Sequence, residues 1–309
     1  MREPAPYIGR FAPSPTGPLH FGSLLAAVAS YLEARQRGGQ WLVRVEDIDP
    51  PREQPGASEL IIATLEHYGF EWDGPIIYQS QSDIEHRAAL RRLADDGLAY
   101  PCSCSRRDLA EAPRGPLGTI YPGTCRNGCD ATETAIRLRT SNESLTFDDE
   151  LQGTQSQRLE SESGDFVTLR RDGLVAYHLA VVVDDYLQGV THIVRGIDLM
   201  DSTLRQIWVQ QKLGYPTPRY SHIPVALHED GRKLSKVSGA SGILPDQVAA
   251  TLVAALQSLG QKPPESLVGA SVNDIWAWAL ANWNMNLLRG QVAISTLPST
   301  LAGDKNPLR

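Results

Sequence analysis

Lysine is scarce in this chain. Of 29 basic residues among 309, five are lysine (Lys212, Lys233, Lys236, Lys262 and Lys305) and the rest are arginine. Two of the five sit three residues apart in "KLSK", where lysine reads as a chosen, mobile point charge rather than surface filler. An excess of positive charge is also missing: the formal net charge is −7. Non-specific nucleic-acid binders are usually basic overall, so any RNA contact is expected to be local and shape-driven. Long apolar runs are absent. Without a run of about eighteen apolar residues, no transmembrane helix is expected. The opening "MREPAPYIGR" lacks the apolar core of a signal peptide, which points to the cytoplasm. Cysteine is confined to four positions, Cys102, Cys104, Cys125 and Cys129. Clustered cysteines in a cytosolic chain point to a metal more than to disulfides.

What is present is an ordinary globular composition, 41% apolar and 21% charged, enough for a substantial core in one large domain or two unequal ones. "YIGRFAP" reads as a short buried strand. "LHFGSLLAAVASYLEARQRGG" has apolar residues at helical spacing and stops at Gly38-Gly39. "WLVRVED" reads as a second strand, "SELIIATLEHYGF" as a helix and "PIIYQS" as another strand. "SDIEHRAALRRLADDG" opens on a capping box from Ser82 to Glu85 and closes on Gly97. Strands alternating with helices imply an α/β fold with a doubly wound, Rossmann-like parallel sheet.

Periodicity breaks near residue 100 and resumes at "YHLAVVVDDYLQGVTHIVRG", which reads as a buried strand, an acidic turn and another strand. "DSTLRQIWVQQKLG" reads as a helix and "YSHIPVAL" as a final strand; "PDQVAATLVAALQSLG" and "VNDIWAWALANWNMNLLRG" then carry helical spacing. The expected organisation is a catalytic domain split over 1–99 and 175–244, an insertion over 100–174, and a small helical C-terminal region over 245–309.

Two segments carry chemistry. In "RFAPSPTGPLHFGS", Gly17 and Gly22 let a ligand approach the backbone just before a helix. A helix N-terminus attracts phosphate, and His20 could donate to a phosphate oxygen. A Pro-rich loop with a capping histidine is the plainer alternative. In "GRKLSKVSGAS", two lysines on a Gly-flanked loop suit a leaving pyrophosphate whose charge grows during nucleotidyl transfer; a solvated basic loop is the alternative. For a metal, spacing alone offers Cys102, Cys104, Cys125 and Cys129 as tetrahedral ligands, against four reduced thiols with none.

Together, HFGS and KLSKV resemble the two signature motifs of class I aminoacyl-tRNA synthetases. With "VRVEDID" and "YHLAVVVDDYLQGVTHIVRGIDLMDSTLRQ", residues 8 to about 240 are similar to the glutamyl/glutaminyl branch. The resemblance implies a class I catalytic domain that takes ATP with Mg2+, and glutamate. It places Arg10, Ala12, Ser14, Glu46, Tyr177 and Arg195 around glutamate, with Arg195 on the side-chain carboxylate. It places His20, Gly22, Ser23, Lys233, Ser235 and Lys236 on ATP, with His20, Gly22, Lys233 and Lys236 acting in catalysis. Some relatives carry a polar residue where Val181 stands, which implies looser glutamate binding. Relatives hold one structural zinc through a Cys-x-Cys pair, a tyrosine and a later cysteine. That implies Cys102, Cys104, Tyr121 and Cys125, with Cys129 the rival ligand.

The chain stops about seventy residues after KLSKV, so no anticodon-binding domain is expected. A compact chain of this length has a radius of gyration of about 19 Å, enough to cover one end of a tRNA. This resembles the glutamyl-queuosine tRNA(Asp) synthetase family. That resemblance implies tRNA-independent glutamate activation and transfer to queuosine at the wobble position, with the tRNA(Asp) anticodon stem-loop as partner and a monomer as the working unit. A truncated glutamyl-tRNA synthetase and a silent RNA-binding paralogue are the other readings, and intact motifs oppose the latter.

Overall fold

In the first hundred residues the alternation read from sequence becomes a parallel sheet. The computed structural model describes residues 6–227, 242–243 and 245–295. β1 (Ile8–Phe11) leads to α1 (Phe21–Gln36), β2 (Gln40–Val45), α2 (Ala57–His67), β3 (Ile77–Tyr78) and α3 (Asp83–Asp95). β2 pairs in parallel with β1 and with β3. α1 ends where expected. Gly38 has φ 63°, and a Cβ on Gly39 would collide with the Tyr7 carbonyl oxygen as the chain turns into β2. The expected capping box at Ser82 is not formed. A 3-10 turn, Gln79–Ser82, runs directly into α3, and the Ser82 side chain makes no capping bond among the described residues.

The middle of the chain is built from short strands: β4 (Ala99–Cys102), β5 (Arg114–Gly115), β6 (Gly118–Thr119), β7 (Ala135–Leu138), β8 (Leu145–Asp149), β9 (Gly153–Gln157), the one-turn α4 (Leu159–Glu162) and β10 (Phe166–Leu169). β7 is the centre of an antiparallel sheet in the order β10-β7-β4. β8 and β9 form a hairpin that does not stay with that sheet.

The remaining elements are α5 (Tyr177–Leu187), β11 (His192–Gly196), α6 (Met200–Leu213), β12 (Arg219–Ile223), β13 (Val225–Leu227), α7 (Val248–Ser258), α8 (Val272–Asn282) and β14 (Ala293–Ser295). Three expectations need correction. "YHLAVVVDDYL" is the helix α5, not a strand. Residues Leu179 to Asp185 are all buried, so its valines satisfy a core from every side and local β-propensity is overridden. Asp184 and Asp185, expected in a turn, therefore lie within the helix. "YSHIPVAL" is two strands, because Pro224 has no N–H for a ladder: β12 pairs with β11 and β8, while β13 pairs with β14. The last amphipathic run leaves the helix at Trp283 (φ −59°, ψ 129°) and finishes as a 3-10 turn, Met285–Leu288.

β11 and β12 are parallel, and their sheet abuts β1 at Thr191. The Thr191 N–H donates to the Ile8 carbonyl at 2.9 Å, and the Ile8 N–H donates to Thr191 Oγ1 at 2.9 Å. The chain thus winds from β1 to β2 on one side and meets β11 on the other. Such a switch point opens a crevice at the carboxyl ends of the strands. The hairpin β8–β9, from the 100–174 stretch, extends this sheet through Tyr220 and Asp149. No helix among the described residues is long and apolar enough to cross a membrane.

The C-terminal helices share a core with α1 and β2. Trp276 of α8 packs edge-on against Tyr31 and Phe70 and donates its indole N–H to the Tyr68 carbonyl at 2.9 Å. Trp283 donates to Glu33 Oε1 at 2.8 Å. Trp276→Ala is expected to lower the free energy of unfolding by about 3–5 kcal/mol in urea denaturation. A loss below about 1 kcal/mol would show that α8 merely rests on the domain.

Candidate active site

A cleft of about 480 Å³ opens at the carboxyl ends of β1, β2, β11 and β12. Arg10, Ala12, Ser14, His20, Gly22, Ser23, Glu46, Tyr177 and Arg195 all line it. Sequence reasoning had no signal for Arg52 at its edge or for Asp198, Pro224 and Val225 on its floor and wall. Val181 is buried in the core shared by α3, α5 and α6 and is not among the lining residues. Lys233, Ser235 and Lys236 lie outside the described residues.

His20 is the N-cap of α1. Its Nδ1 accepts the Ser23 N–H at 3.2 Å, and its Nε2 lies 3.0 Å from Ser23 Oγ. With Nδ1 accepting, the proton belongs on Nε2. The first turn of α1 carries no acidic residue, so the helix's positive end meets no acid of its own first turn. Gly17, at φ 135°, makes the turn that brings the loop to the helix. Gly242 bridges to His20, and a Cβ there would stand 2.9 Å from Pro18 Cβ.

Beneath Arg10 and Glu46 lies a buried charge network. Arg44 is fully buried and donates to Asp185 Oδ1 at 2.8 Å, with Glu46 Oε1 at 3.4 Å and Asp184 Oδ2 at 3.9 Å. Arg10 Nε donates to Asp185 Oδ1 at 3.2 Å. Asp184 also accepts from His86 Nε2 at 2.8 Å and Gln79 Nε2 at 2.6 Å. Burial pushes the Arg44 guanidinium down, but the carboxylates of Asp185, Glu46 and Asp184 outweigh it and hold it up. Asp185 is driven up by burial and further down by Arg10 and Arg44, so its net shift is down. Glu46 ends raised, because burial outweighs Arg44 and Arg10. Burial also raises the Tyr177 phenol, with Glu46 adding to it. From sequence, Arg44 could be a surface partner of Glu46. The pairing is real, but it is buried, and its anchor is Asp185. An arginine inside the apolar strand "WLVRV" was the available signal.

Arg195, at the end of β11, is held differently. Its Nε donates to His222 Nε2 at 3.0 Å and its Nη2 to Thr203 Oγ1 at 2.8 Å. Its Nη1 is buried without a partner among the described residues. A buried donor with nothing to bind is costly unless a ligand completes it.

The metal candidates meet in the middle segment. The sulfurs of Cys102, Cys104 and Cys125 lie within 4.8 Å of one another. Tyr121 Oη is 3.3 Å from Cys102 Sγ and 3.8 Å from Cys104 Sγ, and Cys104 Sγ is 3.6 Å from Cys125 Sγ. With Zn–S bonds of about 2.3 Å, a tetrahedron has sulfur–sulfur edges of about 3.8 Å, a spacing the Cys104–Cys125 edge already approaches. Cys129 points elsewhere, its Sγ 3.5 Å from the Pro101 carbonyl oxygen. The geometry thus brings together the tyrosine-containing set and leaves out the rival ligand. Arg137 donates to Cys102 Sγ at 3.2 Å and stacks 3.9 Å over the Tyr121 ring, a cation beside a site whose ligands are anionic when bound. Burial pushes the Cys125 thiol up, but hydrogen bonds from Ser103, Tyr121 and Cys104 bring it down to about 6, while burial and Cys125 push Cys104 up to about 11. At Gly164 (φ 68°) a Cβ would overlap the Tyr121 backbone, so glycine there is required for this tyrosine to reach the sulfurs.

Residues 8–251 match the family described as tRNA synthetases class I (E and Q), catalytic domain. The Glutamyl-Q tRNA(Asp) synthetase of Dechloromonas aromatica (strain RCB) is 52% identical over 295 residues, 94% of this chain and 98% of that protein. The Glutamyl-Q tRNA(Asp) synthetase of Ectopseudomonas mendocina (strain ymp) is 53% identical over 279 residues, 90% of this chain and 93% of that one. A crystal structure of glutamate-tRNA synthetase from Elizabethkingia anophelis superposes with a TM-score of 0.79, covering 96% of this chain and 69% of that one. At 22% identity that likeness speaks for the fold alone.

The buried histidine behind Arg195, His222, gives a pH signature. Burial pushes His222 down to about 4, Asp149 opposing and Arg195 adding to the fall. The unfolded chain therefore binds this proton more readily, so the stabilisation is complete above about pH 6.5 and is lost as pH falls toward 4. His222→Gln is expected to flatten the fall in unfolding free energy between pH 6.5 and 5 by up to about 1.4 kcal/mol per pH unit. Urea unfolding at several pH values checks this; identical slopes would mean that His222 is not held neutral.

Proposed function

Since the chain belongs to the class I (E and Q) tRNA synthetases, and within them to the Glutamyl-Q tRNA(Asp) synthetase family, we propose that it activates glutamate with ATP, without tRNA, and transfers it to the queuosine of tRNA(Asp). The observation that carries this reading is the pairing, in one cleft, of the N-terminus of α1, capped by His20, with a buried guanidinium whose Nη1 has no acceptor among the described residues.

His20, Gly22 and Ser23 meet the phosphates of ATP, which enters with Mg2+, and the Lys233, Ser235 and Lys236 of KLSKV bind them as well. Arg195 takes the glutamate side-chain carboxylate and Arg10 the α-carboxylate. Glu46 takes the α-ammonium, whose charge would favour the ionised form that burial opposes. Ala12, Ser14 and Tyr177 line the same end. A glutamate α-carboxylate oxygen attacks the α-phosphorus of ATP, a mixed anhydride forms, and pyrophosphate leaves. A hydroxyl of the queuosine cyclopentene ring then attacks the activated carbonyl, an ester forms, and AMP leaves. The anhydride is already reactive, so the second step needs mainly positioning.

The acceptor is the anticodon stem-loop at the wobble position. Single-stranded loops with splayed bases are what proteins mostly read in RNA, and a chain of net charge −7 suits one local contact face. The proposed working form is a monomer in the cytoplasm. Cys102, Cys104, Tyr121 and Cys125 hold one zinc, which is structural because four protein ligands leave no open position.

RNA-free enzyme is expected to catalyse glutamate-dependent ATP–pyrophosphate exchange, and Lys236→Ala to slow it by about two to three orders of magnitude if the charge acts mainly in the transition state. With labelled glutamate and tRNA(Asp), nuclease mapping should place the label in the anticodon loop. Label on the 3′-terminal adenosine, or equal labelling of tRNA lacking queuosine, would favour a glutamyl-tRNA synthetase instead. For the metal, elemental analysis should give one zinc per chain, retained in Cys129→Ser; zinc lost in that variant would make Cys129 the fourth ligand.

A further inference from the structure

Arg195 is oriented by residues outside the cleft. Its Nε–H is accepted by His222 Nε2 at 3.0 Å, so that nitrogen must carry a lone pair. The proton then belongs on Nδ1, which donates to Asp149 Oδ2 at 2.6 Å. An ionised carboxylate only accepts, so Asp149 fixes this tautomer. Asp149 is itself locked. It sits at the end of β8 and accepts the backbone N–H groups of Leu151 at 3.0 Å, Gln152 at 2.9 Å and His222 at 3.2 Å. Burial would raise its carboxyl, but His222 and these N–H groups hold it below the usual range. The second constraint on Arg195, Nη2 to Thr203, fixes the plane of the guanidinium and turns Nη1 to the remaining space.

The two cleft arginines differ in a way that matters. Arg10 is paired directly with the Asp185 carboxylate, which offsets its charge. Arg195 has a neutral imidazole between it and the nearest carboxylate in its chain of hydrogen bonds. An interposed histidine orients the guanidinium while leaving its positive charge for a ligand. A direct carboxylate contact would give orientation at the expense of that charge.

We infer that Asp149 and His222 are positioning residues for amino-acid selection: they hold Arg195 in the one plane and charge state that favour the carboxylate of glutamate over the amide of glutamine. The inference rests on the assignment of Arg195 to the glutamate side chain under the proposed function. Selection follows because a neutral amide leaves a buried guanidinium without a counter-charge. The β8–β9 hairpin, far from the signature motifs in sequence, thereby acts on specificity.

The test is Asp149→Asn in the full chain, assayed by ATP–pyrophosphate exchange. The asparagine amide can donate to Nδ1, which moves the imidazole proton to Nε2 and sets donor against donor at Arg195. A wrong tautomer of this kind is severe in other carboxylate–histidine pairs; here the glutamate KM is expected to rise by about tenfold or more. The ATP KM should stay within about twofold, and the preference for glutamate over glutamine should shrink, a change that general loosening of the fold would not produce. Nitrogen-15 NMR of the wild-type protein at pH 7 supplies a second, independent reading. It should show His222 protonated at Nδ1 alone. The proposal is overturned by an Nε2–H tautomer or an imidazolium in the wild type. It is equally overturned if Asp149→Asn leaves the glutamate KM unchanged or raises both KM values together. Arg195→Ala separates the two levels: an unchanged glutamate KM there overturns the assignment of the cleft itself, and the relay with it.

Discussion

The site depends on one fully buried arginine. Arg44 projects from β2 into a space where Asp184 and Asp185 of α5 and Glu46 of its own strand converge. A guanidinium with no water near it is tolerable only with such partners, and removing one typically costs about 3–5 kcal/mol because a charge is left uncompensated. The requirement works in both directions. Arg44 draws α5 onto the end of the sheet, and α5 in turn brings Asp185 to Arg10 and Tyr177 to the cleft wall. The two halves of the fold, one built on α1 and the other on α5 and α6, are thereby joined at the cleft itself. Position and charge at this wall of the cleft are set by the same contacts.

A second theme is how the middle segment reaches the site without belonging to it. Its antiparallel sheet carries the cysteine–tyrosine cluster, braced by Asp165. That carboxylate accepts from Arg126 Nε at 2.6 Å and from the Thr140 N–H at 2.7 Å. Its hairpin goes the other way and lends Asp149 to the catalytic sheet. A rigid, cross-linked platform on one side and a single sheet rung on the other place the segment firmly while using few of its residues. Folding such a segment costs backbone entropy for every residue ordered, and a metal bound to four side chains would offset much of it.

The cleft also shows two ways of using arginine. Arg10 gives up part of its charge to a neighbour and gains stability. Arg195 is held by neutral acceptors and keeps its charge for a ligand. Chain positions alone would treat the two alike, since each lies near the end of a buried strand in a parallel pair. The difference lies in what faces them: a carboxylate from α5 in one case, and an imidazole from β12 in the other.

Much of this was legible in the sequence. HFGS before a long apolar helix, glycines at 17, 38 and 39, and the Val-rich strands encode their roles locally, through conformational freedom, capping and period, so they could be read residue by residue. That nine motif residues line one cleft was implied by the family resemblance rather than by this local reading. Other features could not be read this way. "YHLAVVVDDYL" has strand composition, yet it is a helix because it is enclosed on all sides and must present Asp184 and Asp185 to Arg44 and Arg10. Ser82 has a capping pattern that an entering 3-10 turn overrules. Cys129 matches the others in type and spacing, yet its Sγ lies against the Pro101 carbonyl oxygen, while Gly164 lets Tyr121 sit beside Cys102 and Cys104. Asp149 and His222 stand 73 positions apart and carry no motif. Sequence by itself determined which chemistry was available and where the chain would turn. Only the tertiary structure decided which charges share a buried space, because desolvation and pairing act through distance in the folded chain and not along it.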